Sequence, residues 1–533
     1  MRKFLLLLMF APLNGRTQLL SSVAKLIETE HYRPKVIDDS FSAALWRRYI
    51  EMLDPLKGLF LRSDLETLST YRFVLDDEIR GERVVAFLPA ALRLYRARLS
   101  EAVVMDSAIL SNPFRYDVDE TVRPDGGSLD DFAGSLPVLR EARRKMLKYL
   151  SLQYLVMQRR TGFESDSLAR QKAREWLAAD YARLWRDTAL SVQMGRYVDV
   201  MGRLMDPHTD YFFSGVGSGS PSTVDVALIR SSGRRVGYVS FPEFYGDSLR
   251  HCASDVSRAL RTLDSARVDG IVFDLRDNHG GSLQEVLRMT GLLIPRGPVV
   301  QVRRRSGAPV ALSSDADSVV YDGPLAILVN EKTASAAELF TAAIQDYHRG
   351  IVIGSRTYGK GTVQRSFPVD SGVLKLTIEQ FFRVSGGSTQ LAGVTPDVCL
   401  PDVYAFQKVR EADNAGALGW DTIPPVAYAP GPALYGGAFS PDSVFGVIQR
   451  NNTWLGARRD SPVSLDLSVF TAGQDARQAI LLQDRDALTL PAGRRLDVMA
   501  LTPGDRRWVM AAGRDIYINE ALRVLEHIRE PKS

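Results

Sequence analysis

Cysteine is nearly missing from this chain of 533 residues: Cys252 and Cys399 are the only two. That excludes a disulfide framework and a cysteine-rich metal site, leaving one optional bridge. Long hydrophobic runs are missing too. No segment reaches the ~18 apolar residues that a membrane helix requires, so no integral span is expected. Neither sign of charge dominates, since 67 Lys and Arg face 63 Asp and Glu for a net charge of +4. So small an excess gives no electrostatic footprint for a nucleic-acid partner, and the run Arg303 to Arg305 reads as a solvated face. The six histidines show neither His-x-x-x-His spacing nor paired cysteines beside them, so a zinc centre is not expected. Low-complexity tracts that would signal wholesale disorder are also lacking.

Core-building material, by contrast, is plentiful, with 45% hydrophobic residues, and the length calls for two to four domains. Met1 to Gly15 joins a basic tip to a short apolar run, the pattern of a secretory signal, although Leu13 and Gly15 fit a small-x-small cleavage site only loosely. Residues 16–213 carry helical periodicity, with Leu147, Leu150, Tyr154 and Met157 on one face and Leu177, Tyr181 and Leu184 on another. Such stripes belong to a helical core. The Gly/Ser tract at 214–222 cannot hold regular structure and reads as a tether between domains. From 223 to 402, short apolar runs alternate with amphipathic stretches: Val236–Phe241, Gly270–Leu275, Leu283–Ile294, Pro324–Val329 and Ala334–Gln345. That order is strand, strand, helix, strand, helix, an α/β core with largely buried strands. Residues 403–533 are less regular until a last helical stretch near Tyr517–Ile528, and are set apart as a mixed C-terminal region.

Two segments carry chemistry. Gly354 to Lys360 spaces Gly-x-x-x-x-Gly-Lys like a phosphate loop, but Gly361 stands where Ser or Thr should bind magnesium, and Thr362–Val369 lacks the helix such a loop opens. Ser335, twenty-five residues before Lys360, follows a buried strand and begins an apolar helical run. A serine nucleophile needs a base, an oxyanion site and a rigid seat, and a helix N-terminus offers amides and a dipole to developing negative charge. The amide of Ala336 is a natural donor there. Asp274-Leu-Arg-Asp-Asn-His-Gly-Gly281 repeats the geometry, a strand ending in a glycine turn before a helix, and Gly280 or Gly281 would let the backbone approach a carbonyl. Lys360 acts as a base only when neutral, which means lowering its pKa from about 10.4 towards 7, a cost of about 4 to 5 kcal/mol that burial can supply. Gln364 could orient that amine. No histidine offers a rival base: His348 reads as a helix-end residue, and His279 as a structural member of the glycine turn.

With these residues in place, the chain resembles the C-terminal processing or tail-specific serine peptidases. Asn330 to Val363 resembles the nucleophile block, through Glu338, Gln345-Asp-Tyr347 and Gly359-Lys-Gly-Thr-Val-Gln364. Asp274-Leu-Arg with Gly280-Gly281 resembles the oxyanion turn, Gly387-Ser-Thr-Gln390 and Gly393-Val-Thr-Pro-Asp397 the segment closing the core. Asp206-Pro-His-Thr-Asp-Tyr211 resembles the landmark ending the helical part, and Gly419-Trp-Asp-Thr-Ile423 with the last helix points to the larger tail-specific branch. The resemblance implies a crotonase-like α/β core, Ser335 as nucleophile, Lys360 as general base, Gln364 as its partner and Asp346 as a supporting residue. Ala337 and His279 depart from the usual pattern and look tolerable. A larger departure is the peptide-binding PDZ domain expected before Val236. Only the 24 residues 212–235 stand in its place, far below the scale of a domain.

The expectation is therefore an exported protein, periplasmic or membrane-associated, that cleaves polypeptides by a Ser-Lys dyad with no metal, nucleotide or other cofactor. Its partners are polypeptide substrates, offered through their C-termini in the family's manner, with adaptors and self-association left open. The rival expectation is a catalytically silent scaffold that binds peptides or proteins.

Overall fold

The computed structural model describes residues 7–125, 129–159, 165–213, 223–370, 372–432, 439–502 and 507–527, with side chains from residue 18 onward. The expected tether at 214–222, and the first residues of the expected signal segment, lie outside the described residues. Among the described residues no helix is long and apolar enough to cross a membrane. Cys252 and Cys399 are both free, the first buried and the second exposed, so the optional bridge does not form.

The chain divides into two compact units, Met1–Val216 with Gln364–Thr377 and Asp460–Gln478, and Gly217–Val363 with Ile378–Arg459 and Ala479–Ser533. The first is helical. Its long helices Asp39–Leu53, Phe87–Leu110, Leu136–Arg159, Asp166–Asp187 and Leu190–Arg203 turn aromatic faces inward. Tyr49 meets Phe87 and Tyr197 edge to face, with ring centroids 5.8 and 5.2 Å apart, an arrangement that aromatic quadrupoles favour. Of the stripes read from sequence, Leu147 is buried while Met157 is exposed. A short strand, Asp210–Phe213, pairs antiparallel with Gly372–Lys375 in this unit.

The second unit is built on a seven-stranded sheet. In spatial order its strands are Val398–Cys399, Ile351–Gly354, Leu325–Val329, Gly270–Asp274, Arg234–Ser240, Asp225–Ser231 and Asp497–Ala500. The first five run parallel, and the last two pair antiparallel. Every residue of Gly270–Asp274, Leu325–Val329 and Ile351–Gly354 is buried, as expected of parallel strands covered on both faces. Alternation by two sends Ile271, Phe273, Leu325 and Ile327 to one layer, with Val256, Val286, Met289 and Phe340. Val272, Ala326, Leu328 and Ile353 go to the other, with Ile448, Ile518 and Leu522. The helices Cys252–Ser265, Leu283–Gly291 and Ala336–Asp346 cover the first face, and Val444–Arg459 and Ile516–His527 the second.

An α/β core and a helical N-terminal part are thus what the structure contains. The residues set apart in sequence as 403–533 are woven into these units. Asp460–Gln478 joins the helical one, whereas Asp497–Ala500 closes an edge of the seven-stranded sheet. Asp515, just ahead of the last helix, binds Arg276 at 3.0 Å, and Arg276 also holds Asp274 at 2.5 Å. The guanidinium lies over the Tyr517 ring, 5.4 Å from its centroid. The turn after Gly270–Asp274 is therefore fastened by a residue about 240 positions later in the chain.

Candidate active site

Two loops meet at the carboxyl ends of adjacent parallel strands, the place where α/β sheets gather their functional groups. One follows Gly270–Asp274 and the other follows Leu325–Val329. Asn330 joins them, accepting from the Asp277 amide at 3.0 Å and donating to the Asp277 carboxylate at 3.1 Å. The Thr333 hydroxyl donates to the Leu275 carbonyl at 2.8 Å, and the Ala334 amide to the Asn278 carbonyl at 2.9 Å.

Ser335 sits at the N-cap of Ala336–Asp346 with φ 56° and ψ −117°. Such a conformation costs a non-glycine residue about 1 to 3 kcal/mol and persists only where its surroundings impose it. The imposing group is Glu338, whose carboxylate accepts the Ser335 amide at 2.8 Å. Serine at an N-cap ordinarily spends its oxygen on the helix. Here Glu338, three residues along, accepts the amide of Ser335 itself, the return half of a capping box.

Glu338 does more. It accepts the Thr357 hydroxyl at 2.5 Å and the amides of Gly359 and Lys360 at 2.7 and 2.8 Å. One fully buried carboxylate thus holds the backbones of both Ser335 and Lys360. Burial pushes its pKa up to about 7, against the lowering influence of its four donors.

The glycine turn touches the serine. A Cβ on Gly280, whose φ is 100°, would lie 2.8 Å from the Ser335 Cβ, the Ala336 nitrogen and the Ala334 oxygen. The two glycines differ in what their amides do. That of Gly280 is spent on the Asn278 side chain at 2.9 Å. Gly281 is flanked by a bridge to Phe244, in which Phe244 donates to the Gly280 carbonyl and Ser282 to the Phe244 carbonyl, leaving the Gly281 amide outside the pairing. The Ala336 amide, first of the orphan donors of its helix, is likewise outside the intrahelical ladder.

On the other side, Gly359 and Gly361 let the lysine segment press on residues 388–393. A Cβ on Gly361 would lie 2.5 Å from the Gln390 nitrogen, and the Gly361 amide donates to the Gln390 side chain at 2.7 Å. A strand, Thr362–Val369, follows where a phosphate loop would open a helix. Gln364 belongs to the helical unit, where its amide nitrogen lies 3.1 Å from the Thr377 hydroxyl.

Asp346 ends the Ser335 helix, three turns from the serine. It binds Arg383 at 2.7 Å, and Gln345 accepts from the same guanidinium at 3.0 Å. The structure therefore places Asp346 as an anchor of its helix end, away from Ser335. Asp346→Ala would leave Arg383 without its carboxylate partner in a partly buried site, with only the Gln345 carbonyl to accept from it, a loss of about 3 kcal/mol. Its melting temperature is expected to fall by several degrees, with KM near the native value, checked by thermal denaturation and steady-state kinetics. His279 is exposed, and His348 at the helix end lies 2.9 Å from the Gly431 carbonyl.

The sequence reading missed Glu338, Thr357 and Asn278 as site residues. For Glu338 a signal was available, since serine followed three positions later by glutamate spells a capping box. Nothing local marks Asn278.

Residues 235–400 match the model for Peptidase family S41, and residues 23–214 that for the Tail specific protease N-terminal domain. The chain is thus similar to peptidase family S41 over its α/β core and to tail-specific proteases over its helical N-terminal part. It is 40% identical over 206 residues to the "Tail-specific protease" of Haemophilus influenzae, covering 37% of this chain and 29% of the relative. It is 33% identical over 184 residues to the "Carboxyl-terminal-processing peptidase 2, chloroplastic" of Arabidopsis thaliana, covering 34% and 35%. Among solved structures, the photosystem II D1 C-terminal processing protease matches at 28% identity with a TM-score of 0.31, over 35% of this chain and 50% of that one. The matched segments span well under half the length of these curated relatives.

Proposed function

We propose that the chain is an endopeptidase that cleaves polypeptides through an acyl-enzyme on Ser335. The observation that carries this reading is the Glu338 carboxylate, which binds the backbones of the nucleophile and of the lysine together. Such convergence serves a reaction between the two side chains better than it serves packing. The Ser335 oxygen attacks the scissile carbonyl while the Lys360 amine takes its proton. The Ala336 and Gly281 amides receive the oxyanion, since Gly280 has already committed its own. Lys360 then returns the proton to the leaving amine, and a water deprotonated by the same lysine hydrolyses the ester, releasing a new carboxyl terminus.

The relatives' names speak of tails and carboxyl termini, which supports a preference for the C-terminal parts of substrates. The basic and apolar start of the sequence supports export. Within 212–235, the strands Asp225–Ser231 and Arg234–Ser240 already serve the sheet, which supports the reading that no PDZ module stands there. Selection would then rest on access to the site.

Incubation of the purified chain with an unfolded polypeptide, followed by mass spectrometry of the products, tests the proposal, with the Ser335→Ala chain as blank. New carboxyl termini that appear only with the native chain are expected. A folded native chain that yields the same products as the blank would sink the peptidase reading in favour of a binding scaffold.

A further inference from the structure

The apolar stripes of Leu136–Arg159 and Asp166–Asp187 do not close on each other. The two helices lie against one another within the helical unit. Yet Leu150 on the first, and Leu177 and Leu184 on the second, are only half-buried and line a shared cavity of about 540 Å³. Trp176 and Leu56 complete its apolar wall and are 50% and 41% exposed. A concave apolar surface left open to water marks a binding site.

The polar groups of this cavity are committed, with one exception. Asp54 accepts the amides of Gly58, Leu59 and Phe60 at 2.8, 2.8 and 2.9 Å. Arg143 binds Asp106 at 2.7 Å and the Tyr181 hydroxyl at 2.6 Å, and that hydroxyl donates to Asp106 at 2.6 Å. Arg183 binds Asp180 at 2.5 Å. The exception is Tyr95. It lines the cavity and is 3% exposed, and its hydroxyl has no hydrogen-bond partner among the described residues. Burial, with Asp54 and Asp180 adding to it, pushes the phenol up to about 12. Tyr95 therefore keeps its proton and offers a donor, and buried donors are ordinarily matched by an acceptor. Here the acceptor has to come from the occupant of the cavity.

Charge narrows the choice of occupant. The lining sets three carboxylates, Asp54, Asp106 and Asp180, against two guanidiniums, Arg143 and Arg183, and both guanidiniums are already bound to carboxylates. An anion, whether the head of a fatty acid or the terminal carboxylate of a peptide, would meet an excess of acid and no free base. The occupant that fits is uncharged, with apolar side chains and carbonyl acceptors, which describes the interior of a polypeptide.

We propose that this groove of the helical unit binds an internal apolar segment of the unfolded polypeptide substrate, with Trp176, Leu150 and Leu177 packing on its side chains and the Tyr95 hydroxyl donating to one of its backbone carbonyls. Such a site rests on the peptidase reading of Ser335 and gives the chain a hold on what it cleaves. A segment held there keeps the rest of the same polypeptide at raised local concentration. The groove thus acts on KM, while kcat belongs to the chemistry.

The test uses the full chain carrying Ser335→Ala, which cannot consume its ligand. The probe is a short amidated peptide of alternating leucine and alanine, bounded by lysines and carrying a dansyl group, and binding is read by fluorescence anisotropy. Trp176→Gln is expected to weaken binding at least about tenfold, as the loss of an aromatic anchor does. Tyr95→Phe should weaken it about three- to tenfold, the worth of one hydrogen bond, and should keep the native melting temperature, because its hydroxyl has no partner to lose in the free chain. With Ser335 restored, Trp176→Gln should raise KM at least about fivefold for an unfolded polypeptide that contains such a segment, with kcat within about twofold. Dodecanoate should not displace the probe, and the free-acid form of the peptide should bind no more tightly than the amide. Titrations of both variants that overlay the parent would overturn the proposal. Displacement by dodecanoate would overturn it in favour of a hydrocarbon ligand, and tighter binding of the free acid in favour of a chain end. Should Trp176→Gln fail to fold by circular dichroism, Tyr95→Phe decides alone, since it removes one oxygen and no packing. Peptide binding by a native chain that cleaves nothing would discard the peptidase reading and keep the groove as a peptide site. Cleavage without peptide binding would do the reverse.

Discussion

Lys360→Ala is expected to lower kcat for polypeptide cleavage by about 10² to 10⁴-fold, the range for losing a positioned general base, while Ser335→Ala brings cleavage to background. The two side chains are replaceable without disturbing their seats. Their backbones are held by Glu338 through amides that an alanine retains, so both variants should keep the native melting temperature within a degree or two. That separates chemistry from folding. Lys360→Arg should not rescue, since a guanidinium remains charged and cannot take a proton. Steady-state kinetics and thermal denaturation of the three variants check this, and a Lys360→Ala chain with native kcat would remove the lysine from the mechanism.

Glu338→Gln is the second large effect, and it acts by a different route. All four groups that reach Glu338 are donors: the Ser335, Gly359 and Lys360 amides and the Thr357 hydroxyl. A glutamine offers one acceptor and one donor, so whichever way it turns, its NH2 group faces N–H or O–H groups with nothing to accept. Leaving a buried donor unsatisfied costs about 1 to 3 kcal/mol, and here the cost falls on the seats of nucleophile and base. A loss of at least about 10² in kcat is expected, comparable with the removal of an oxyanion donor.

The same group sets a pH signature. Glu338 is raised from 4.5 to about 7 by burial, so between those values the folded chain binds a proton that the unfolded chain has lost. Stability from this group is present below pH 4.5 and is lost as pH rises through 7, by about 3 kcal/mol in all. Yet the ionised carboxylate is the form that accepts four donors. Activity should therefore climb through pH 7 while stability declines over the same interval, and the decline should be absent in Glu338→Gln. Denaturant unfolding at pH 5 and pH 8 for both chains measures it. An equal pH dependence in the two would assign the slope to other groups.

Much of the core was legible because fully buried parallel strands write themselves as unbroken apolar runs. Pro324–Val329 appears as the strand Leu325–Val329, and Ala334–Gln345 as the helix Ala336–Asp346, shifted by two residues at its start and one at its end. The last helix was visible as Tyr517–Ile528 and runs from Ile516 to His527. Asp497–Ala500 was not legible, since an edge strand with half-exposed residues has no such signature and owes its pairing to a segment some 270 residues earlier. Ser335 and Lys360 were singled out for the chemistry they could do. Glu338 and Asn278 escaped because their importance lies in which backbone amides they occupy, a fact of three-dimensional convergence. The choice between Gly280 and Gly281 was likewise undecidable in sequence, where both simply read as glycine.

A ribosome makes this chain from one end, and the fastening of the glycine turn has a date attached to it. The strand Asp497–Ala500 and the Arg276 clamp at Asp515 come after the nucleophile, the lysine and nearly everything else. For about a third of synthesis, then, from residue 335 to residue 515, the serine segment exists without the last strand of its sheet or the clamp on its neighbouring turn. A core assembled in that order receives its last fastening late, long after the serine and lysine segments have been made.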